Sequence, residues 1–333
     1  MKDVAERAGV SITTVSHVIN NSRPVSDELT KRVHDAMHEL EYHPNLLARS
    51  LRMKKTKTLG VILPDISNSF FADIARAIED TSFESDFSVI FCNTDGDMAK
   101  EIIYTRALSE KQVDGIIFVA AGESADLVRS LQTQRMPVVI VDRPLGEINA
   151  DTVVSDNTGG AYEAVQHLIE LGHRRIACIT GPSIIETATQ RLFGYRKAMQ
   201  EAGLPAPEDY ILRSNFRFEG GRDAAVKLLT NPEPPTAIFA ANDLMAIGAI
   251  GAAKSLGLTI PNDLSIVGFD DIAMSSFFNP ALTTIVQPKY EIGVLATKML
   301  MERLENPRLP KRRHLLSTHL VVRASSAAPP ESI

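Results

Sequence analysis

From residue 58 to about residue 323 the chain alternates short apolar runs with amphipathic stretches, and this alternation restricts the fold more than any other feature. The apolar runs at 59–63, 88–92, 115–119, 138–141, 176–179, 237–239 and 265–269 read as strands, and 315–322 reads as one more. Helical patterns lie between them at 70–84, 98–111, 158–171, 190–202, 218–229 and 243–256. Strand alternating with helix implies right-handed βαβ units and parallel sheets. Parallel strands are buried on both faces, which accounts for their near-continuous Val, Ile and Leu. More than ten elements predict two sheets rather than one. In such sheets a ligand binds beyond the carboxyl ends of the strands, so polar residues just after strands are the candidates for a site.

The first 57 residues have a different texture. Residues 2–8 read as a short helix ended by Gly9, and Ser11 offers a cap to a second helix running from Ile12 to about Asn20. After the polar loop Asn20-Asn21-Ser22-Arg23-Pro24, Ser26 caps a third helix with Asp27 and Glu28 in its first turn. Val4, Ala5, Ala8, Val10, Val15 and Val18 supply an apolar seam, extended by Leu29, Val33, Met37 and Leu40 at helical spacing. His43-Pro44-Asn45 breaks the pattern, Asn45 can cap a short stretch 46–52, and a basic linker follows at 53–57. Helix, glycine turn and Ser/Thr-rich second helix form the helix-turn-helix pattern, with an ordinary small helical bundle as the bland alternative. The second helix would enter the major groove by its N-terminal end, Ile12-Thr13-Thr14, with Ser16 and His17 one turn on. Thr hydroxyls bond base edges or phosphates, and the Thr methyl touches thymine.

Charge separates the two parts. The whole chain carries a net charge of -6, yet residues 1–57 hold 10 Lys/Arg against 7 Asp/Glu, and 42–57 holds five basic residues and no acid. A small basic head on an acidic body is expected when only the head meets phosphate. No run of about 18 apolar residues is present. The N-terminus has no apolar signal region behind a basic start, which places the expectation in the cytoplasm. Cys92 and Cys178 sit inside apolar runs and read as reduced core residues, and no Cys/His cluster has zinc spacing. There is no Gly-x-x-x-x-Gly-Lys loop and no Gly-x-Ser-x-Gly elbow, so neither a cofactor nor an enzyme is expected.

Several polar or aromatic groups follow apolar strands: Asn68, Phe70 and Phe71; Asp142 and Arg143; Arg191; Asn242 and Asp243; Asp270 and Asp271; Gln287. Each alone fits helix capping, a turn or a surface ion pair. Their shared position at strand ends argues for one cleft. Asp, Asn, Arg and Gln offer the paired donors and acceptors that a polyhydroxyl ligand needs, and Phe70, Phe71 and Phe216 can face the apolar side of a sugar ring.

The stretch Lys2-Asp3-Val4-Ala5…Ala8-Gly9-Val10-Ser11…Thr14-Val15-Ser16-His17-Val18-Ile19-Asn20 resembles the headpiece signature of the lac repressor/gal repressor family. Tyr42-His43-Pro44-Asn45…Ala48-Arg49-Ser50-Leu51 resembles that family's hinge, and the likeness continues to about residue 323. It implies an α/β chain with a three-helix helix-turn-helix headpiece at 1–44, a hinge helix and linker at 45–57, and a periplasmic-binding-protein-like core of two doubly wound parallel-sheet lobes at 58–323. The first lobe would take about 58–157 and 288–317, the second about 158–287 and 318–323. The composition of 324–333 predicts a disordered tail.

By this resemblance Ile12 and Thr13 stand where base-reading side chains stand, with Thr14, Ser16, His17 and Arg23 nearby. Ile12 departs from the polar residue often found there. Residues 45–52 would fold on DNA against a twin, with Leu51 wedged into the minor groove and Arg52 beside it. Relatives often carry a threonine ahead of the first helix; here Met1 stands almost at the helix, so either that cap is missing or the true start lies upstream. Asn68, Phe70, Phe71, Asp142, Arg143, Arg191, Phe216, Asn242, Asp270 and Gln287 each match a ribose-contacting type in the periplasmic ribose-binding protein. Val15-Ser-His-Val-Ile-Asn20, Cys92-Asn-Thr-Asp-Gly-Asp97, Ala177-Cys-Ile-Thr-Gly-Pro182 and Leu282-Thr-Thr-Ile285 look like ribose-operon repressors. The resemblance therefore implies a homodimer on palindromic double-stranded operator DNA, released by D-ribose. Other pentoses, nucleosides or a purine stay open as effectors, as does the sign of the response, and a transport-type sugar-binding protein is the rival class.

Overall fold

The computed structural model describes residues 1–20, 23–42, 56–120, 122, 124–146 and 148–330, which divide into two units, Met1–Thr56 and Lys57–Ile333. In the first unit, α1 (Lys2–Ala8) stops because Gly9 turns into the left-handed region at φ 63 and returns its N–H to the carbonyls of Ala5 and Glu6. The Ser11 hydroxyl accepts the Thr14 N–H at 3.0 Å and starts α2 (Ile12–Asn20). Ser26 precedes α3 (Asp27–Glu39) but its hydroxyl makes no capping bond; the acidic Asp27 and Glu28 meet the positive end of the helix instead. Val4, Val15 and Val33 are fully buried where the three helices meet. Arg32 reaches from α3 to the Ala8 carbonyl at 2.6 Å, tying the end of α1 with a cation suited to a helix C-terminus. The expected hinge helix, with Asn45, Leu51, Arg52 and residues 53–55 of the linker, lies outside the described residues.

The second unit holds two six-stranded sheets. The first has the order β11-β5-β4-β3-β1-β2, from β1 (Thr58–Leu63), β2 (Ser88–Asn93), β3 (Gly115–Phe118), β4 (Val138–Val141), β5 (Asp151–Ser155) and β11 (Arg313–Leu316). The second has the order β12-β10-β9-β8-β6-β7, from β6 (Ile176–Thr180), β7 (Ile211–Arg213), β8 (Ala237–Ala240), β9 (Ser265–Asp270), β10 (Thr283–Val286) and β12 (His319–Val321). All pairings are parallel except β10 with β12. Both sheets reverse direction beside their first strand, so each carries a switch point at its strand tips, the place where this winding leaves a crevice.

Helices α4 (Ser69–Glu84), α5 (Met98–Glu110), α6 (Ala125–Thr133) and α12 (Lys289–Glu305) cover the first sheet. The helices α7 (Asn157–Glu170), α8 (Glu186–Glu201), α9 (Phe218–Leu229), α10 (Asp243–Ser255) and α11 (Ala273–Phe277) belong to the second lobe. Strands β3, β4, β5, β6, β8 and β9 are buried along their whole length, as two-sided coverage demands.

Two sequence expectations fail near the end of the chain. The single strand expected at 315–322 is two strands in different sheets, because the chain crosses between lobes at Ser317-Thr318. The tail expected to be disordered is packed against the second sheet through residue 327. Ser325 is fully buried, taking the Thr283 N–H and donating to the Ile266 carbonyl, while Ala327 exchanges bonds with Ser265 and is held at its carbonyl by His173. Side chain to backbone bonds anchor this segment, so its small polar composition carries no apolar period to announce it. At the opposite sheet, Asp151 is fully buried and takes Arg303 in a paired contact at 2.9–3.0 Å; the same guanidinium donates to the carbonyls of Leu309 and Pro310. That ion pair fixes the crossover leading into β11.

Candidate functional site

The strand tips of the two lobes bring the predicted polar residues together. After β1, Asn68 caps α4 by accepting the Phe70 N–H at 3.0 Å. After β4 come Asp142 and Arg143. From the second lobe, Asn242 follows β8 and caps α10 through the Met245 N–H at 2.9 Å, while its amide nitrogen donates to the Phe216 carbonyl at 3.0 Å. Asp270 ends β9, and Arg191 projects from α8. Asn68, Phe70, Phe71, Asp142, Arg143, Arg191, Phe216, Asn242 and Asp270 line one cavity with Thr187. Gln287 stands behind this wall and donates to the Asp270 carboxylate at 2.7 Å.

Three of the lining residues have left-handed backbone: Asp142 at φ 63, Phe216 at φ 61 and Asp270 at φ 112. Non-glycine residues hold such angles only when the surroundings over-determine them, a condition that clusters at ligand sites. Gly181 makes room for one of them, since a Cβ there would lie 2.2 Å from the Phe216 ring. The cavity measures about 30 Å³, room for roughly one or two waters. It shares Asn68, Phe71, Arg143 and Phe216 with an outer chamber of about 260 Å³ walled by Pro64, Pro182, Ile184 and Ile185 and edged by Asp65, Asp95 and Arg217. A sugar ring therefore enters the inner space only when the lobes part or its side chains shift. A larger hollow of about 450 Å³ beside Arg174 and Tyr210 lies before β6 rather than beyond a strand tip, and none of the predicted residues lines it.

Charge in the cleft is buried and tightly held. Arg191 donates to the Asn157 carboxamide at 2.8 Å and to the Ala241 carbonyl, sits 3.3 Å from Asp270, and stacks 3.8 Å over the Phe269 ring. Burial pushes the Asp270 carboxyl above the usual carboxylate range; Arg191 opposes the shift, and the carboxylates of Asp243 and Asp142 add to it. Asp142 is raised by burial against the pull of Arg143 and Arg191. Burial lowers Arg143, whose Nη1 donates to the Ala120 carbonyl at 2.9 Å while its Nε makes no hydrogen bond and lies 3.7 Å from the Asp142 carboxylate. The Arg143 guanidinium lies 5.6 Å from the centre of the Phe71 ring, which meets Phe70 edge to face. Carboxylate acceptors, guanidinium donors and aromatic faces converging on one closed space suit a ligand with several hydroxyls, since a group lacking them leaves buried polar atoms unpaired.

Sequence reasoning missed Thr187 and Asn157. Both follow from starting α8 and α7 too late: α8 begins at Glu186 rather than 190, and α7 at Asn157 rather than 158. An Asp156 cap accepting the Gly159 N–H was the available signal for α7.

In the first unit, Ile12 is 51% exposed and Thr13 is exposed, at the open N-terminal end of α2. Thr14 is half-buried with its hydroxyl against Ser11, Ser16 and His17 are half-buried on the next turn, and Arg23 is exposed. Among the described residues no group of three or more His, Cys, Asp or Glu could hold a metal ion, and no helix is long and apolar enough to cross a membrane.

Residues 1–45 match the family described as bacterial regulatory proteins, lacI family, and residues 165–326 match the periplasmic binding protein-like domain. The chain is 41% identical to the HTH-type transcriptional regulator DegA of Bacillus subtilis over 330 residues, 98% of this chain and 97% of that protein. It is 40% identical to the ribose operon repressor of Escherichia coli over 329 residues, 98% and 99% of the two chains. Among solved structures, a lacI family transcriptional regulator from Enterococcus faecium with bound ribose matches with a TM-score of 0.74 and 33% identity, covering 81% of this chain and 99% of that one. The lac repressor dimer bound to operator and the anti-inducer ONPF matches with a TM-score of 0.87 and 29% identity, covering 98% of each chain.

Proposed function

Because the chain belongs to the lacI family of bacterial regulatory proteins, we propose that it is a cytoplasmic repressor that binds a palindromic operator as a homodimer and is released by D-ribose. The observation that carries the effector reading is the single cavity where Asn68, Asp142, Arg143, Arg191, Asn242 and Asp270 converge with Phe70, Phe71 and Phe216. The ribose-bound relative and the relative named as a ribose operon repressor support the choice of sugar. The ligand is bound and released unchanged; the carboxylates orient hydroxyls and no covalent step is assigned to them.

Release requires that D-ribose prefer one arrangement of the lobes over the other, because a ligand shifts an equilibrium only by its differential affinity. Closure around the sugar would draw the strand tips of the first lobe toward Arg191 and Asp270, and that movement would be passed to the residues joining the core to the headpiece. Ile12, Thr13, Thr14, Ser16, His17 and Arg23 would meet the major groove and its backbone, with Leu51 and Arg52 in the minor groove.

A second effector class has one feature in its favour. The apolar outer chamber next to the polar inner one could seat the base of a ribonucleoside whose sugar enters the cleft. Calorimetric titration with D-ribose, arabinose, xylose, ribose 5-phosphate, adenosine and adenine separates these readings. Saturable binding of ribose alone, lost in Arg143→Ala, supports the first; adenosine binding with ribose silent replaces it with the second. Operator release by the same compound, followed by fluorescence anisotropy, tests its role as inducer, and tighter operator binding would reverse the sign.

A further inference from the structure

Asp270 is the first of two consecutive residues with left-handed backbone, Asp270 at φ 112 and Asp271 at φ 51. Such a corner at the end of a strand has to be held from outside. The Asp270 carboxylate is held by Gln287 and Arg191, and the Asp271 carboxylate by Arg323 at 2.7 Å. The two backbone carbonyls are held by one group. Lys289 Nζ makes a short bond to the Asp271 carbonyl and lies 3.3 Å from the Asp270 carbonyl.

Lys289 is the first residue of α12, which packs on α4 and on β3, β4 and β5 of the first lobe. The corner it grips ends a strand of the second sheet. One side chain therefore starts in one lobe and terminates in the other. Its position is electrostatically costly for the helix, since a cation in the first turn faces the positive end of the helix dipole. The side chain is only 13% exposed, so it is not a solvated surface lysine. Its other neighbour is Asp73 of α4, half-exposed and 3.5 Å away in the first lobe.

We propose that Lys289 is a positioning residue for the effector cleft: it clamps the 270–271 corner, aims the Asp270 carboxylate, and makes that aim depend on how far apart the lobes stand. The proposal rests on reading this cleft as the effector site. Lys289 does not line the cavity and acts through Asp270. When the lobes part, the ammonium, tethered three residues beyond Val286, which pairs with Asp270, still reaches the corner but is drawn toward Asp73, and its hold loosens without being lost. When they close, the same ammonium restores the corner, so closure and the presentation of Asp270 are one event.

Hydrogen–deuterium exchange read by mass spectrometry on the full-length protein tests this, with Lys289→Met, Lys289→Arg and wild type, each alone and with D-ribose. In Lys289→Met without ligand, peptides across 271–278 should exchange about tenfold faster, a local opening of the corner, while β3 and β4 stay unchanged. Lys289→Arg should restore most of the protection, since a guanidinium can donate to both carbonyls. Unchanged exchange at 271–278 in Lys289→Met overturns the proposal. So does faster exchange spread equally through α12, α4 and the first sheet, which would mark a plain packing role. The ribose samples speak to the effector separately: wild type unprotected by ribose counts against that sugar, while the ligand-free comparison still decides the clamp.

Discussion

Replacing Asp270 by Asn separates what this carboxylate does for the fold from what it does for a ligand. The isostere keeps an acceptor for the Gln287 amide, 2.7 Å away, and removes the charge 3.3 Å from Arg191. Arg191 keeps the Ala241 carbonyl, the Asn157 carboxamide and the Phe269 ring. Burial raises the Asp270 carboxyl even against the attraction of Arg191, so the native state holds a proton that the unfolded chain sheds near pH 4. The stability this group contributes is therefore complete below about pH 4 and is lost as pH rises through the folded value. The variant should accordingly melt no lower than wild type at pH 8, with a gain of about 1 kcal/mol or more that shrinks toward pH 4. Its affinity for D-ribose at pH 8, where the wild-type carboxylate is charged, should fall, because a hydrogen bond to a charged acceptor is worth about 1.5–3 kcal/mol, on the order of 10- to 100-fold. Scanning calorimetry at several pH values and titration calorimetry with ribose read the two effects. A variant that melts several degrees lower at pH 8 would show that the charge holds the fold, and unchanged ribose affinity in a wild type that binds ribose would remove Asp270 from the site; either result refutes the reasoning.

Gly181→Ala should drive the Phe216 ring from the cavity wall, at a cost of about 1–3 kcal/mol and with weakened effector binding but unchanged operator affinity, measured by parallel titrations of ligand and DNA. Arg303→Met should leave the fully buried Asp151 without its main partner and destabilise the core by about 3–5 kcal/mol, a fall in melting temperature on the order of 10 °C by calorimetry. Thr13→Ala should cost about 1 kcal/mol on the operator while leaving affinity for a scrambled duplex and its salt dependence unchanged in anisotropy titrations.

The strands most visible in the sequence are those buried on both faces, such as 138–141 and 176–179, because two-sided burial writes itself as an unbroken apolar run. Strand β5 opens on Asp151, whose burial depends on Arg303 and the Arg312 N–H more than a hundred positions away, and no local pattern announces that. Strand β10 is rich in Thr and β7 is three residues long, so neither stands out. The cleft residues were legible because parallel winding sends every strand tip to one end of a sheet, which turns order along the chain into neighbourhood in space. Arg191, beyond β6, follows the same rule, whereas Phe216 stood out only as an aromatic, since the short β7 before it was not visible. Lys289 escaped it, since its role comes from a contact between lobes and from left-handed backbone at Asp271, neither of which has a local signature. The local pattern of 315–322 suits one strand throughout, and only the family resemblance, which put the lobe boundary between 317 and 318, pointed to Ser317-Thr318 passing from one sheet to the other.

That last crossing has a consequence for how the molecule comes into being on the ribosome. The first sheet waits for 313–316 to complete its edge, and the second for 319–321, so both lobes keep an unpaired strand border until almost the whole chain has emerged. The headpiece core, by contrast, is closed by residues 1–42. A nascent chain thus holds a finished three-helix unit long before it can form the cleft, and a truncation anywhere ahead of residue 313 strips the terminal strand from both lobes at once. Synthesis runs vectorially and early segments fold first, so the interval between those two events is when this protein is most exposed to edge-to-edge aggregation.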